Sequence, residues 1–181
     1  YNNFEQLNDL VKNKKIGTIK MEVERNIPPS NNFLKKVRNL ATKNNIVLIF
    51  DECTSGFRET FGGLHKKYGV EPDIATFGKA LGNGYPITAI IGRKEIMESA
   101  QTSFISSTFW SDRIGPTAAL KTLQVMDKLK SWELITNTGN SIRVKLANLA
   151  KMKKLKIKQS GLASLNSYSI VSSNYSSLEY K

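Results

Sequence analysis

A short apolar run that stops on two acids constrains this chain more than any other feature. Ile46-Val47-Leu48-Ile49-Phe50 is rich in β-branched side chains and is followed by Asp51-Glu52. Runs of that length and composition read as strands buried on both faces of a parallel sheet. Asp51 therefore falls at a strand's carboxyl end. A second run, Asp73-Ile74-Ala75-Thr76-Phe77, leads into the turn Gly78-Lys79-Ala80-Leu81-Gly82-Asn83-Gly84. If these strands are neighbours, the Asp51 carboxylate and the Lys79 amine leave on the same edge, where open α/β sheets bind ligands.

The rest of the chain alternates in the same manner. Phe4, Leu7, Leu10 and Val11 have the spacing of an amphipathic helix, and Ile16 to Val23 reads as a strand with acids at Glu22 and Glu24. Pro28-Pro29 punctuates, and Ser30 with Asn31 offers caps for a helix whose inner face is Phe33, Val37, Leu40 and Ala41. This gives a strand, helix, strand unit leading into Asp51. Phe61-Gly62-Gly63 reads as a flexible loop and His65 to Tyr68 as a short basic helix with His65 on the surface. Ile87 to Gly92 is a further strand, and Lys94 to Ala100 a short helix. Hydroxyl-rich Ser106 to Asp112 precedes a helix, capped by Asp112, with Ile114, Ala118, Thr122, Met126 and Leu129 on one side. A helix over Trp132 to Met152 follows, then the basic run Lys151 to Lys158, a turn at Ser160-Gly161, a strand over Ser167 to Val171 and a polar tail over Ser172 to Lys181. The domain expectation is residues 1–130 as part of a large ligand-binding domain, with 131–181 a linking helix and an incomplete C-terminal domain.

Composition closes off some function classes. A net charge of +12 on 181 residues invites polyanion binding, but the lysines are spread along the chain. The densest run, Lys151 to Lys158, lacks the interleaved aromatics of single-strand binders, so no nucleic acid is expected. No stretch approaches the roughly 18 apolar residues of a membrane span, and Tyr1 to Glu5 carries no basic-then-apolar leader pattern. Neither a membrane nor a targeting signal is expected. Cys53, the single cysteine, cannot form an intrachain disulfide, which makes the reducing cytoplasm the expected compartment. His65 has no second His or Cys cluster to share a metal with, and the glycine-rich turn matches neither a P-loop nor a dinucleotide fingerprint.

One chemistry wants an acid and an amine converging at a sheet edge. Pyridoxal phosphate forms a Schiff base with a lysine and acts as an electron sink while its ring nitrogen stays protonated, which an aspartate enforces. On Glu22, Asp51 to Arg58, Lys79 and Thr108, in that order, residues 16 to 129 resemble the class III pyridoxal-phosphate aminotransferases. Within them the chain is most similar to the branch around glutamate-1-semialdehyde aminomutase. The resemblance implies an α/β protein of PLP-dependent transferase fold type I, with a mostly parallel central sheet flanked by helices and the start of a small α+β C-terminal domain. It implies Lys79 as the Schiff-base lysine and proton carrier and Asp51 as the ring-nitrogen partner. Cys53 then packs against the ring where the family has Val or Ile, and Thr108 binds the cofactor phosphate of a neighbouring subunit, hence a homodimer. Glu52 is expected to be structural, turned away from the ring.

Departures shape the functional expectation. Val23 follows Glu22 where the family has Pro, the loop Glu24 to Pro29 is shorter than in true aminomutases, and the family's phosphate cradle and ring-stacking aromatic have no match upstream of Glu22. The chain therefore looks like an internal fragment. The expected reaction is amino transfer between a small-molecule donor and a carbonyl acceptor. Two alternatives stay open: an intramolecular amino shift on glutamate semialdehyde, and a catalytically incompetent fragment or basic binding module.

Overall fold

The structure is a computed structural model and describes residues 1–171; the expected polar tail over Ser172 to Lys181 lies outside the described residues. Its centre is a four-stranded sheet in sequence order: β1 (Thr18–Glu22), β2 (Val47–Asp51), β3 (Ile74–Phe77) and β4 (Ala89–Gly92). β1, β2 and β3 run parallel and β4 runs antiparallel to β3. The register sets Glu22, Asp51 and Thr76 side by side at one end. That is the mostly parallel α/β sheet expected from the sequence.

Alternation along the strands separates two faces. Leu48, Phe50, Ala75 and Phe77 point into the core, whereas Val47, Ile49, Asp51, Ile74 and Thr76 are only half-buried. Helices pack on that inner face. α1 (Phe4–Asn13) adds Phe4, Leu7 and Val11 to a cluster in which α2 (Phe33–Lys43) packs Leu34, Val37 and Ala41 with Leu48 and Phe50. The short α3 (His65–Tyr68) adds Tyr68 to the same cluster, and α4 (Lys94–Met97) follows β4. At the other flank α5 (Ile114–Leu129) brings Ala119, Leu123 and Met126 onto Phe57, Ala75 and Phe77. Asp112 Oδ1 accepts the Ile114 N–H at 2.8 Å, as a cap should.

The last described elements are α6 (Ser131–Met152) and a two-stranded antiparallel ribbon, β5 (Ile157–Ser160) with β6 (Ser167–Ile170). Leu162 joins the core cluster around Val23, and Gly139 of α6 lies so near the Ala163 carbonyl that a Cβ there would overlap it. Glycine lets the helix and the 162–165 segment touch backbone to backbone.

Four expectations need correction. α2 takes no side-chain cap from Ser30 or Asn31; the Phe33 N–H reaches the Ser30 carbonyl at 2.8 Å, with Asn32 left-handed at φ 57°. α5 is turned about one residue from its expected face: Gly115 and Ala119 are buried, while Ile114 and Leu129 are more than half exposed. Apolar residues lie on both sides of that helix, so spacing could not choose between them. β5 falls inside what reads as a basic run, because half-buried Ile157 is its single apolar residue and leaves no alternation to read. His65 is buried, not on the surface, for a reason that lies in the site.

Candidate active site

The carboxyl ends of β2 and β3 carry the side chains that matter. Because the strands are parallel neighbours, the turn after Asp51 and the turn after Phe77 rise from the same edge. Past Asp51 the chain does not stay extended: the Gly56 N–H bonds the Glu52 carbonyl at 2.8 Å, forming a compact turn. Cys53 thus comes to lie beside Asp51 by a fold-back rather than by strand alternation.

Asp51 is held in place by that turn and by β3. Its Oδ1 accepts the Cys53 N–H at 3.1 Å and the Thr76 hydroxyl at 3.3 Å. Its Oδ2 faces the open side of the sheet and meets the Lys20 ammonium at 3.1 Å. Partial burial alone would raise the carboxyl's pKa. The Cys53 N–H, the Lys20 ammonium and the Cys53 thiol outweigh that and hold it below the usual 3.8. Asp51 is therefore anionic across the physiological range.

The Cys53 thiol points at the Thr76 hydroxyl, 3.8 Å away. Burial pushes its pKa up, and the Asp51 charge adds to that. A protonated, half-buried thiol is a small apolar contact surface rather than a nucleophile.

Lys79 follows two residues after β3. Its backbone is left-handed, φ 43°, an uncommon conformation for a side-chain-bearing residue and one that clusters at functional sites. The amine is exposed and donates to the Thr54 hydroxyl at 2.9 Å. Thr54 is three residues beyond Asp51, so one turn presents the acid and a resting place for the amine. No sequence signal singled out Thr54, a polar residue in a polar turn.

Behind this edge stands a buried knot that fixes the turn. Glu52, fully buried, accepts the Ser55 hydroxyl on Oε2. Its Oε1 takes the His65 N–H at 3.0 Å and lies 2.9 Å from His65 Nδ1. Burial raises the Glu52 pKa, but the donors from His65, Ser55 and Leu64 more than offset it, leaving the acid below its usual 4.5. His65 is drawn inside because this carboxylate needs its donors. A four-residue helical pattern could not reveal that. The Phe61-Gly62-Gly63 loop is also tied down: the Phe57 N–H bonds the Gly62 carbonyl at 2.7 Å and the Thr60 hydroxyl the Gly63 carbonyl at 2.8 Å.

Thr108 does not join this group. It is exposed on a turn six residues before α5 begins, among exposed Phe104, Phe109 and Trp110. Beside it runs an apolar groove of about 1000 Å³ lined by Tyr85, Ile87, Ile90, Met97, Ile105 and Trp110. Among the described residues there is no cluster of three or more His, Cys, Asp or Glu side chains able to hold a metal, and no helix is long and apolar enough to cross a membrane.

Comparison with known proteins places the chain in a family and a fold. Residues 24–163 match the family model "Aminotransferase class-III". A 3-aminobutyryl-CoA aminotransferase of Cloacimonas acidaminovorans is 42% identical over 112 residues, covering 61% of this chain and 27% of that protein. The glutamate-1-semialdehyde 2,1-aminomutase of Nitrosopumilus maritimus is 41% identical over 139 residues, 72% of this chain and 33% of its own length. Among solved structures, the PLP internal aldimine form of the FumI protein of Sphingopyxis sp. MTA144 superposes with a TM-score of 0.90 at 24% identity, covering 94% of this chain and 43% of that one. An ornithine aminotransferase of Plasmodium yoelii gives 0.75 at 26% identity, covering 89% and 45%. The chain spans between about a quarter and a half of the length of these relatives.

Proposed function

The chain belongs to the class-III aminotransferase family, and on that premise we propose that it forms the cofactor-holding core of a pyridoxal-phosphate enzyme moving an amino group from a small-molecule donor to a carbonyl acceptor. The observation that carries the reading is the pairing of β2 with β3, which brings a locked, anionic Asp51 and the amine of Lys79 to one sheet edge.

The residues present fit that cofactor. Asp51 has one oxygen saturated by fixed donors and the other turned to the open face, which suits an acceptor for a protonated ring nitrogen. Cys53 offers a polarizable, apolar contact beside it. The buried Gly78 backbone lies against the same thiol, 3.5 Å from where a Cβ would stand, leaving the turn slim enough for a flat ring to approach. When bound, pyridoxal phosphate supplies the electron sink for charge developed at a substrate carbon. Lys79 would hold the cofactor covalently through Nζ and, once displaced by substrate, carry a proton at that same atom. Thr54 supports the free amine meanwhile, and the Glu52 knot keeps the acid-bearing turn from drifting.

Thr108 serves this reading as a phosphate contact made across a homodimer, supported by its exposure and by the exposed aromatics and groove around it. Residues 1–130 would be part of the large domain and 131–181 a linking helix and the opening of a C-terminal one. The lone cysteine supports the cytoplasm as compartment. An intramolecular amino shift is the second reading, favoured by the aminomutase relative at 41% identity; a requirement for an external amino acceptor distinguishes transfer from the shift.

The decisive experiment is borohydride reduction of the protein with pyridoxal phosphate, followed by peptide mapping. The expected result is one reduced adduct on Lys79, lost in Lys79→Ala. Labelling spread over other lysines, unchanged in Lys79→Ala, overturns the reading.

A further inference from the structure

Lys20 stands at the site, bonded to Asp51, and the amino-transfer reading gives it no role. It lies on β1, two residues before Glu22, on the half-open face of the sheet shared by Ile49 and Asp51. A lysine in the middle of a strand on that face is out of keeping with its apolar neighbours Val47, Ile49 and Ile74. Its side chain is 59% exposed, yet its ammonium sits 3.1 Å from Asp51 Oδ2. The Asp51 oxygens are not equivalent. Oδ1 is filled by the Cys53 N–H and the Thr76 hydroxyl, so any further donor must come to Oδ2, where Lys20 stands.

We propose that Lys20 is a competing counter-ion for Asp51, which holds the acid in place without cofactor and loosens the grip of Asp51 on the cofactor's ring nitrogen. The inference rests on the pyridoxal-phosphate reading. Two physical effects point the same way. A protonated ring nitrogen at Oδ2 either displaces the ammonium, losing that ion pair, or shares the oxygen with it at the cost of like-charge repulsion. Either penalty falls on cofactor binding. Because Lys20 is largely in water, the effect is that of an exposed pair, about two- to fivefold in affinity. Lys20 is a positioning residue here, acting through Asp51.

The test compares the protein with Lys20→Met and Lys20→Arg. Binding of pyridoxal phosphate is titrated beside binding of the analogue carrying carbon in place of the ring nitrogen. The expected result is binding about two- to fivefold tighter in Lys20→Met, unchanged in Lys20→Arg, and no difference among the three proteins for the analogue. Unchanged or weaker binding in Lys20→Met overturns the proposal, as does an equal gain for cofactor and analogue, which would place the effect away from the ring nitrogen. A cofactor-free readout is the Asp51 carboxyl titration followed by NMR. The groups facing that carboxyl are Lys20 and Glu22 from β1 and Cys53 from its own turn, with Lys79 of the turn after β3 acting on the Cys53 thiol. Removing the ammonium raises the Asp51 midpoint if Lys20 pairs with it; no change sinks the proposal. Borohydride trapping separates the two layers. If Lys20 is irrelevant, every variant still traps cofactor on Lys79, whereas if the cofactor reading is wrong none of them does.

Discussion

Two aspartates sit at opposite ends of the same strand pair, and they are used in opposite ways. Asp73 precedes β3 at its amino end, with a side chain only 5% exposed, one oxygen holding two donors and the other a solvated arginine. Its Oδ2 accepts the Leu48 N–H and the Arg38 guanidinium at 2.8 Å each, and Oδ1 takes Arg93 at 3.2 Å. Asp51 closes β2 at the carboxyl end, with a side chain 26% exposed and one oxygen met only by a solvated lysine. A carboxylate buried among donors of its own chain ties strand to helix. One left more open to water is available to something else. The same residue type is thus structural at one end of the strands and a candidate ligand at the other.

Substitution at each end sharpens the contrast. Asp73→Ala leaves Arg38 and the Leu48 N–H without their acceptor, and should lower stability by about 3 kcal/mol, a fall of roughly 6–12 °C in Tm for a domain of this size. The fraction that remains folded should still trap cofactor on Lys79. Calorimetry beside borohydride labelling checks both halves, and a stable Asp73→Ala protein that no longer labels would erase the distinction between the ends. Asp51→Asn should behave in the reverse way. Tm should change little, whereas pyridoxal phosphate should bind about ten- to a hundredfold more weakly, the worth of a hydrogen bond between charged partners. Absorbance titration measures that.

The smallest effect is the pH response. Asp73, like Glu52, has its folded pKa held below its ordinary value. Burial pushes the Asp73 carboxyl up, but the Leu48 N–H, Arg38 and Arg93 outweigh it. Depressed carboxyls stabilise the fold fully above their ordinary values, 3.8 and 4.5, and that contribution disappears as pH falls through the folded ones. Denaturant midpoints should therefore be level from neutrality to about pH 5 and fall below it. The fall should be shallower in Asp73→Ala. An equal slope in both proteins would remove Asp73 from the acid-labile set.

Much of this was legible in the sequence, for identifiable reasons. Short apolar runs ending in Asp51 and Phe77 read as strands of a parallel sheet, but that they are neighbours was a condition only the structure met, and one of their faces is only half-buried rather than buried as expected. Asp51 and Lys79 followed from strand ends and glycines. Less was legible where one residue's place depends on another far along the chain. His65 reads as a surface histidine until Glu52 is seen behind it. Thr54 reads as an ordinary turn residue until Lys79 reaches it. Lys20 reads as one of many lysines until β1 pairs with β2.

The sequence by itself determined the order of strands and helices, the edge on which chemistry could occur and the acid and amine found there, since periodicity and turn residues are local properties of the chain. Tertiary structure alone decided which oxygen of Asp51 fixed donors hold, which cation faces the other and which histidine is buried. Those depend on side chains brought together from positions 13 to 31 residues apart, between which no local pattern runs.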